Sequence, residues 1–348
     1  MGVDIIVGIP SYCEESSIRR VVEVVAVGLN KYFSNLNSLI VNVDNCSPDN
    51  TRKEFLKANT LGIPKKYLSS EPGVKGKGNN FFNLFSLVLE LHPRAVIVVD
   101  ADLTSIKPFW VRNLCEPVLA GADFVLPLYS RHKFDATITN HIVYPLIYGF
   151  YGINVRQPIG GEFGLSVKFI EYLMSLPWDR DVRGFGIDVF MTLNALLNNF
   201  ELAQAHLGSK IHNVKDPATD LSQMFHEVNN TLLRVMRKHS PRLGPVITPT
   251  IIGEPQKKEE QTLIPNTKNL EEKNNYNPLR RRTWPLTLIA AAQNNDYTPE
   301  ETTKHLLPLH YANLKRYVSQ VSNKTDEEAE EHIKNTAKRI RKIITSSE

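Results

Sequence analysis

The residues with the clearest chemical potential are Asp100 and Asp102, which follow directly on the run Val96-Ile97-Val98-Val99. Four consecutive β-branched residues predict a strand buried on both faces. Two carboxylates at the carboxyl end of such a strand fall where α/β sheets place their ligands. Carboxylate oxygens suit hard divalent cations such as Mg²⁺ or Mn²⁺, and these in turn hold diphosphates. The structural alternative is that Asp102 caps the next turn and Asp100 is a solvated strand end. A single Asp-x-Asp does not choose between them.

Gly73-Val-Lys-Gly-Lys-Gly78 precedes a predicted helix over 79–91. Lys75 and Lys77 beside unhindered amides at a helix N-terminus would make an anion site. The spacing is neither the P-loop nor the dinucleotide fingerprint, so glycines that only permit a tight turn are the competing reading. In Gln157-Pro-Ile-Gly160-Gly161-Glu162 the glycine pair implies a backbone passing close to something, and Glu162 is either a site carboxylate or a turn anchor. Asp188 opens a helix, where the macrodipole alone would favour it. His212 lies in a polar segment after a strand, compatible with a surface histidine or a ligand.

The elements that must position these groups alternate. Residues 3–9 read as a strand, and Ser11-x-x-Glu14 reads as a capping box opening a helix with Ile18, Val21, Val22, Val25 and Leu29 at helical spacing. Strands follow over 39–43, 67–69, 96–99, 122–129 and 201–205, with helices between them over 108–120 and from 188 to 199. Strand–helix alternation predicts an α/β fold with a doubly wound, mostly parallel sheet. Residues 221–238 form an amphipathic helix. The expected organisation is a main domain over 1–250, divided at 130, then a linker or long loop over 251–285 and a helical C-terminal extension over 286–348. The extension's two main helices start at Thr298-Pro299 and Thr325, with apolar positions suited to docking on the main domain or on a second copy.

The chain has 348 residues and a net charge of +4 with Lys and Arg spread among almost as many Asp and Glu. That balance allows anionic small molecules but does not imply nucleic acid. Cys13, Cys46 and Cys115 are few and not spaced as metal ligands, which fits a reduced, cytoplasmic protein. No apolar run reaches the roughly 18 residues a transmembrane segment needs, so a soluble protein is expected.

Taken in order, Ile-Pro-Ser-Tyr-x-Glu14, Asp44-x-x-Ser-x-Asp-x-Thr51, Gly-Lys77-Gly, Asp100-Ala-Asp102, Gln157-Pro-x-Gly-Gly-Glu162, Gly186-Ile-Asp188 and His212 resemble the GT-A glycosyltransferases. Within them the pattern is similar to the retaining enzymes that make mannosylglycerate and glucosyl-3-phosphoglycerate (glycosyltransferase families 78 and 81), over about residues 3–238. The resemblance implies that Pro10, Tyr12, Glu14, Asp44, Lys77, Asp100 and Ala101 bind the nucleotide sugar, with Asp44 near the base and Lys77 at the diphosphate. It implies that Asp102 and His212 hold a Mg²⁺ or Mn²⁺ cofactor. It places Arg131, Asp135, Ala136, Thr139, Gly160 and Gly161 around the acceptor, and Glu162 and Asp188 beside the transferred sugar as the catalytic carboxylates.

The implied partners are a GDP-mannose or UDP/GDP-glucose donor and a D-glycerate-like acceptor, for compatible-solute synthesis; the charge balance points to no nucleic acid, and the apolar C-terminal helices suit a homodimer as an alternative to docking on the main domain. Thr137 stands where the phosphoglycerate enzymes are expected to carry arginine, which favours an acceptor without phosphate. Asn45 and Cys46 replace a more usual Asp and Gly, which leaves the base open. The rival readings are glucosyl-3-phosphoglycerate synthesis, an inverting family 2 transferase, a nucleotidyltransferase, and a non-enzymatic sugar-nucleotide sensor.

Overall fold

The computed structural model describes residues 2–211, 221–259, 263, 277–281 and 283–346. The elements in chain order are β1 (Ile5–Ser11), α1 (Ile18–Phe33), β2 (Ser38–Asp44), α2 (Thr51–Lys57), β3 (Lys65–Ser69), α3 (Lys77–Leu91), β4 (Ala95–Val98), α4 (Pro108–Leu119) and β5 (Phe124–Ser130). A π-helical turn (Thr139–Val143) leads into α5 (Tyr144–Tyr151), then β6 (Phe163–Leu165), α6 (Val167–Ser175), α7 (Arg180–Arg183), α8 (Ile187–Leu197) and β7 (Leu202–Ser209). The remainder comprises α9 (Leu221–Met236), β8 (Thr250–Ile252), α10 (Trp284–Gln293), α11 (Pro299–Val321) and α12 (Asp326–Ser346). They divide into two compact units, one of residues 1–130, 160–214 and 250–259, the other of 131–159, 215–249 and 260–348.

The first unit is built on one eight-stranded sheet in the order β3-β2-β1-β4-β6-β5-β7-β8. Its strands are parallel except β6, which runs antiparallel between β4 and β5. Chain order reverses between β1 and β4, so the carboxyl ends of β1, β2 and β4 surround the topological switch point where such sheets bind ligands. Alternate residues of the strands, Ile5, Val7, Ile9, Ile97 and Val99, share one core with Val21, Val25 and Leu29 of α1 and Trp110, Leu114 and Val118 of α4. The expected sheet and most expected elements are present. The capping box at Ser11 and Glu14 is not. Ser11 ends β1 and gives its hydroxyl to Asp44, while α1 begins only at Ile18.

The second unit is helical. Ala329, Ile333, Ala337, Ile340 and Ile344 fall on one face of α12, and the first three pack with Tyr144, Tyr317 and Val321. Thr298 and Glu301 close a capping box at the start of α11. Leu306, Leu309, Leu314, Ile333 and Ile340 are buried within the chain, while Val318 and Ile343 of the same helices are half-buried. Among the described residues no helix is long and apolar enough to cross a membrane.

Candidate active site

Asp44, at the end of β2, is wholly buried. Its Oδ1 accepts from the hydroxyls of Ser11 (2.8 Å) and Ser47 (2.6 Å), and its Oδ2 accepts from the Ser47 amide (2.7 Å) and the Tyr67 hydroxyl (2.8 Å). A carboxylate has about four lone-pair sites, and four donors occupy them. Asp44 therefore braces the turn after β2 against β1 and β3, and a nucleoside group reaching it must displace one of those donors. Burial and the neighbouring carboxylate together push the Tyr67 hydroxyl up from its ordinary range.

Pro10 is buried within β1. Beyond the strand, Tyr12 is 39% exposed and the Lys75 ammonium stands 4.9 Å from its ring centre. Glu14 gives its amide to Thr51 Oγ1 (2.8 Å) and accepts from the Ser17 hydroxyl (2.6 Å). The loops after β1 and β2 are thus tied together.

Lys77 opens α3. Its Nζ lies 3.1 Å from Asp100 Oδ1 and 3.3 Å from the Asp188 carboxylate. Asp100 Oδ2 lies 2.9 Å from Lys210 Nζ, which also meets both oxygens of Glu162 at 2.9 Å and donates to the Gly160 carbonyl at 2.8 Å. The Tyr129 hydroxyl donates to Glu162 Oε2. Three carboxylates and two ammonium groups therefore meet in one cluster, with one formal negative charge in excess when all are ionised.

The environment separates these groups. Burial alone would weaken the Asp100 carboxylate, but Lys210 and Lys77 outweigh it and hold its pKa well below the usual range. Burial likewise opposes the Lys77 ammonium, but Asp100, Asp188 and Glu162 raise its pKa above the ordinary lysine value. Glu162 is pushed up to about 7 by burial, with Asp100 adding to the effect and Lys210 only partly offsetting it. Burial also raises Asp188, against the pull of Lys77. The result is a cation beside carboxylates, able to balance an anionic leaving group on one side and to face a hydroxyl or a developing positive charge on the other.

The glycines serve this arrangement. A Cβ on Gly78 would run into the Val182 carbonyl oxygen, and the Gly78 amide donates to the Gly184 carbonyl at 2.9 Å. The Gly-Lys-Gly loop is therefore fitted to the backbone of 182–184, which leads into Asp188, and the Gly78 amide is spent on that contact. Gly161 has a φ of +95°, and a Cβ there would strike the Asp100 carboxylate and the Lys210 ammonium. The feature that the Gly160-Gly161 backbone passes close to is this ion pair.

Ala101 is buried, and Asp102 is half-buried with no hydrogen bond or ion pair to another described residue. His212 lies outside the described residues. The residue before it, Ile211, is fastened to the loop after Asp102. Its carbonyl accepts from the amide and the hydroxyl of Thr104 (3.0 Å each), and its amide donates to Ser105 Oγ (2.8 Å). Among the described residues no group of three or more His, Cys, Asp or Glu side chains could hold a metal.

Arg131, Asp135, Ala136 and Thr139 belong to the second unit. Arg131 Nη1 pairs with Asp135 Oδ2 at 2.8 Å, and Asp135 Oδ1 accepts from the Ala136 amide at 2.7 Å. Ala136 adopts a φ of +52°, and Thr139 is buried at the start of the π-helical turn. Such turns are frequent at functional sites.

Sequence reasoning missed Lys210 and Tyr129. Lys210 follows an apolar strand and stands two residues before His212, a placement that singles it out only once its burial is known. Tyr129 reads as one more apolar position of β5.

The sheet with its single antiparallel insertion, and the carboxylates at the end of β4, are arranged as in the GT-A fold. Similar solved structures are glucosyl-3-phosphoglycerate synthases from Mycobacterium tuberculosis. One, in complex with Mg²⁺ and uridine diphosphate, is 24% identical over 67% of this chain and 79% of that chain, with a TM-score of 0.56. Another, in complex with Mn²⁺, uridine-diphosphate-glucose and phosphoglyceric acid, is 23% identical over 67% of this chain and 80% of that chain, with a TM-score of 0.55. These likenesses show the fold. Residues 3–233 match the family described as mannosylglycerate synthase, GT domain, and the chain belongs to that family. It is a glycosyltransferase. No curated protein matches it in sequence.

Proposed function

We propose that the protein transfers mannose or glucose from a nucleoside diphosphate sugar to a small hydroxy acid, D-glycerate in the first instance, with retention of anomeric configuration and with Mg²⁺ or Mn²⁺. The observation that carries this reading is Lys77 held between Asp100 and Asp188, an ammonium beside carboxylates at the sheet's switch point. Family membership and the uridine-diphosphate-glucose and phosphoglyceric acid complexes of the mycobacterial neighbours support it.

Mg²⁺ is commonly held by one or two protein carboxylates together with substrate phosphates rather than by a protein cage. Asp102, uncommitted among the described residues, suits that role, and His212 as its companion rests on the family resemblance. A cation bound there would supply Lewis-acid stabilisation of the leaving diphosphate. Lys77 exchanges its carboxylate partners for the donor's phosphate oxygens and balances the charge that grows there as the glycosidic bond breaks. Asp188, released from Lys77, orients the acceptor hydroxyl or faces the positive charge at the anomeric carbon, and Glu162, wholly buried, acts through Lys210. Pro10, Tyr12, Glu14 and Ala101 border the nucleotide, while Asp44 shapes its loop. The role of Arg131, Asp135, Ala136 and Thr139 in holding the acceptor rests on the family resemblance. A cytoplasmic location is proposed on the strength of three free cysteines. A donor and acceptor screen, with product mass and anomeric configuration read by NMR, tests the whole assignment.

A further inference from the structure

We propose that Lys210 is a positioning residue for the transfer step, tying Asp100 to Glu162 so that both carboxylates keep their places when Lys77 turns to the donor. The inference rests on the transferase reading above.

The two lysines of the cluster are not equivalent. The Lys77 side chain is 16% exposed; its ammonium meets the Asp100 and Asp188 carboxylates at 3.1 to 3.3 Å and stands 5.8 Å from the Phe81 ring centre. The Lys210 side chain is 6% exposed and makes closer contacts, 2.8 to 2.9 Å, to Asp100, to Glu162 and to the backbone carbonyl of Gly160. An ammonium has three donors, and among the described residues that of Lys210 meets Asp100, Glu162 and the Gly160 carbonyl. One of these is fixed main chain, so Lys210 cannot swing toward a substrate without giving up a partner.

Asp100 records the division of labour. Lys77 takes its Oδ1 and Lys210 its Oδ2, so withdrawal of Lys77 still leaves the carboxylate anchored. Glu162 has no exposed surface, and Lys210 is its cationic partner in the cluster. Without that ammonium, the buried Glu162 and half-buried Asp100 carboxyl groups would face one another and have to move or take up a proton. The positive φ of Gly161, whose missing Cβ leaves room for Asp100 and Lys210, shows the main chain shaped around the same pair.

The test compares wild type, Lys210→Arg and Lys210→Met. Thermal unfolding, calorimetric binding of UDP and GDP with Mg²⁺, and steady-state transfer to glycerate are measured for each. Displacing a reacting group by about 1 Å can cost about 100-fold in rate. Both variants should therefore bind nucleoside diphosphate within about threefold of wild type while kcat falls about 100-fold, and further in Lys210→Met than in Lys210→Arg.

Unchanged kcat, or a loss that appears equally in nucleotide binding, would overturn the inference. If Lys210→Met fails to fold, Lys210→Arg decides; if neither folds, the residue is structural and the inference fails. A wild-type protein that transfers no sugar indicts the transferase reading instead, a result distinct from all of these.

Discussion

Lys77 and Asp188 stand 111 positions apart in the sequence, yet the lysine ammonium lies 3.3 Å from the aspartate carboxylate. The contact joins the start of α3 to the start of α8. It is also an interaction that an anionic ligand can replace, since Lys77 is the more exposed lysine of its cluster.

Replacing Lys77 by Ala should weaken binding of a nucleoside diphosphate far more than binding of the bare nucleoside. A charge-assisted hydrogen bond is worth roughly 1.5 to 3 kcal/mol, or about tenfold to a hundredfold in Kd. Calorimetry with UDP, GDP and the two nucleosides reads the difference, and equal losses would place Lys77 away from the phosphates.

Gly78→Ala tests the fit between the two loops. The obstructing atom is a backbone carbonyl rather than a flexible side chain, so 182–184 must shift and carry Asp188 with it. Activity should fall by about 100-fold or more. An active Gly78→Ala enzyme would show that the two loops need not stay in register.

The strand ending in Asp100 and Asp102 was legible because β-branched runs and terminal carboxylates are local signals. The late start of α1 was not. Ser11 and Glu14 match a capping box in spacing, but the Ser11 hydroxyl is claimed by Asp44 across the sheet. Gly161 was recognised as a close approach, though not what it approaches, because Lys210 and Asp100 reach it from different strands. A buried lysine partnered through tertiary contacts leaves no periodic trace.

The second unit should lose stability in acid. His310 is buried, and burial pushes its pKa down to about 3, against an ordinary 6.5. Below pH 6.5 the unfolded chain binds a proton that the native histidine refuses, so stability falls as pH drops from 6.5 toward 3. The loss from this residue should reach about 2 kcal/mol by pH 5. Glu162 acts in the opposite sense: its raised pKa makes the native state bind the extra proton between its ordinary value of 4.5 and about 7, so acidification there is stabilising. Urea denaturation at several pH values isolates the histidine if His310→Gln flattens the slope below pH 6.5; an unchanged slope rejects the assignment.

Arg131→Ala should raise the KM for glycerate about tenfold to a hundredfold while leaving nucleotide binding nearly unchanged, the loss expected for a carboxylate partner. The wild-type Arg131–Asp135 pair already supplies one carboxylate to the guanidinium. Asp135 holds that guanidinium in place, so Asp135→Asn should also raise the KM for glycerate, by less than Arg131→Ala does. With Thr137 in place of an arginine, 3-phosphoglycerate should be the poorer acceptor; steady-state kinetics with both acids settles the order.

The most direct measurement is NMR of the product formed from GDP-mannose or UDP-glucose and D-glycerate with Mg²⁺, run beside excess chelator and the Asp102→Ala protein. The account predicts a hexosyl glycerate whose anomeric configuration matches the donor's, formed by the metal-loaded wild type and lost in both controls. An inverted anomer, free hexose alone, or full activity in excess chelator would contradict it.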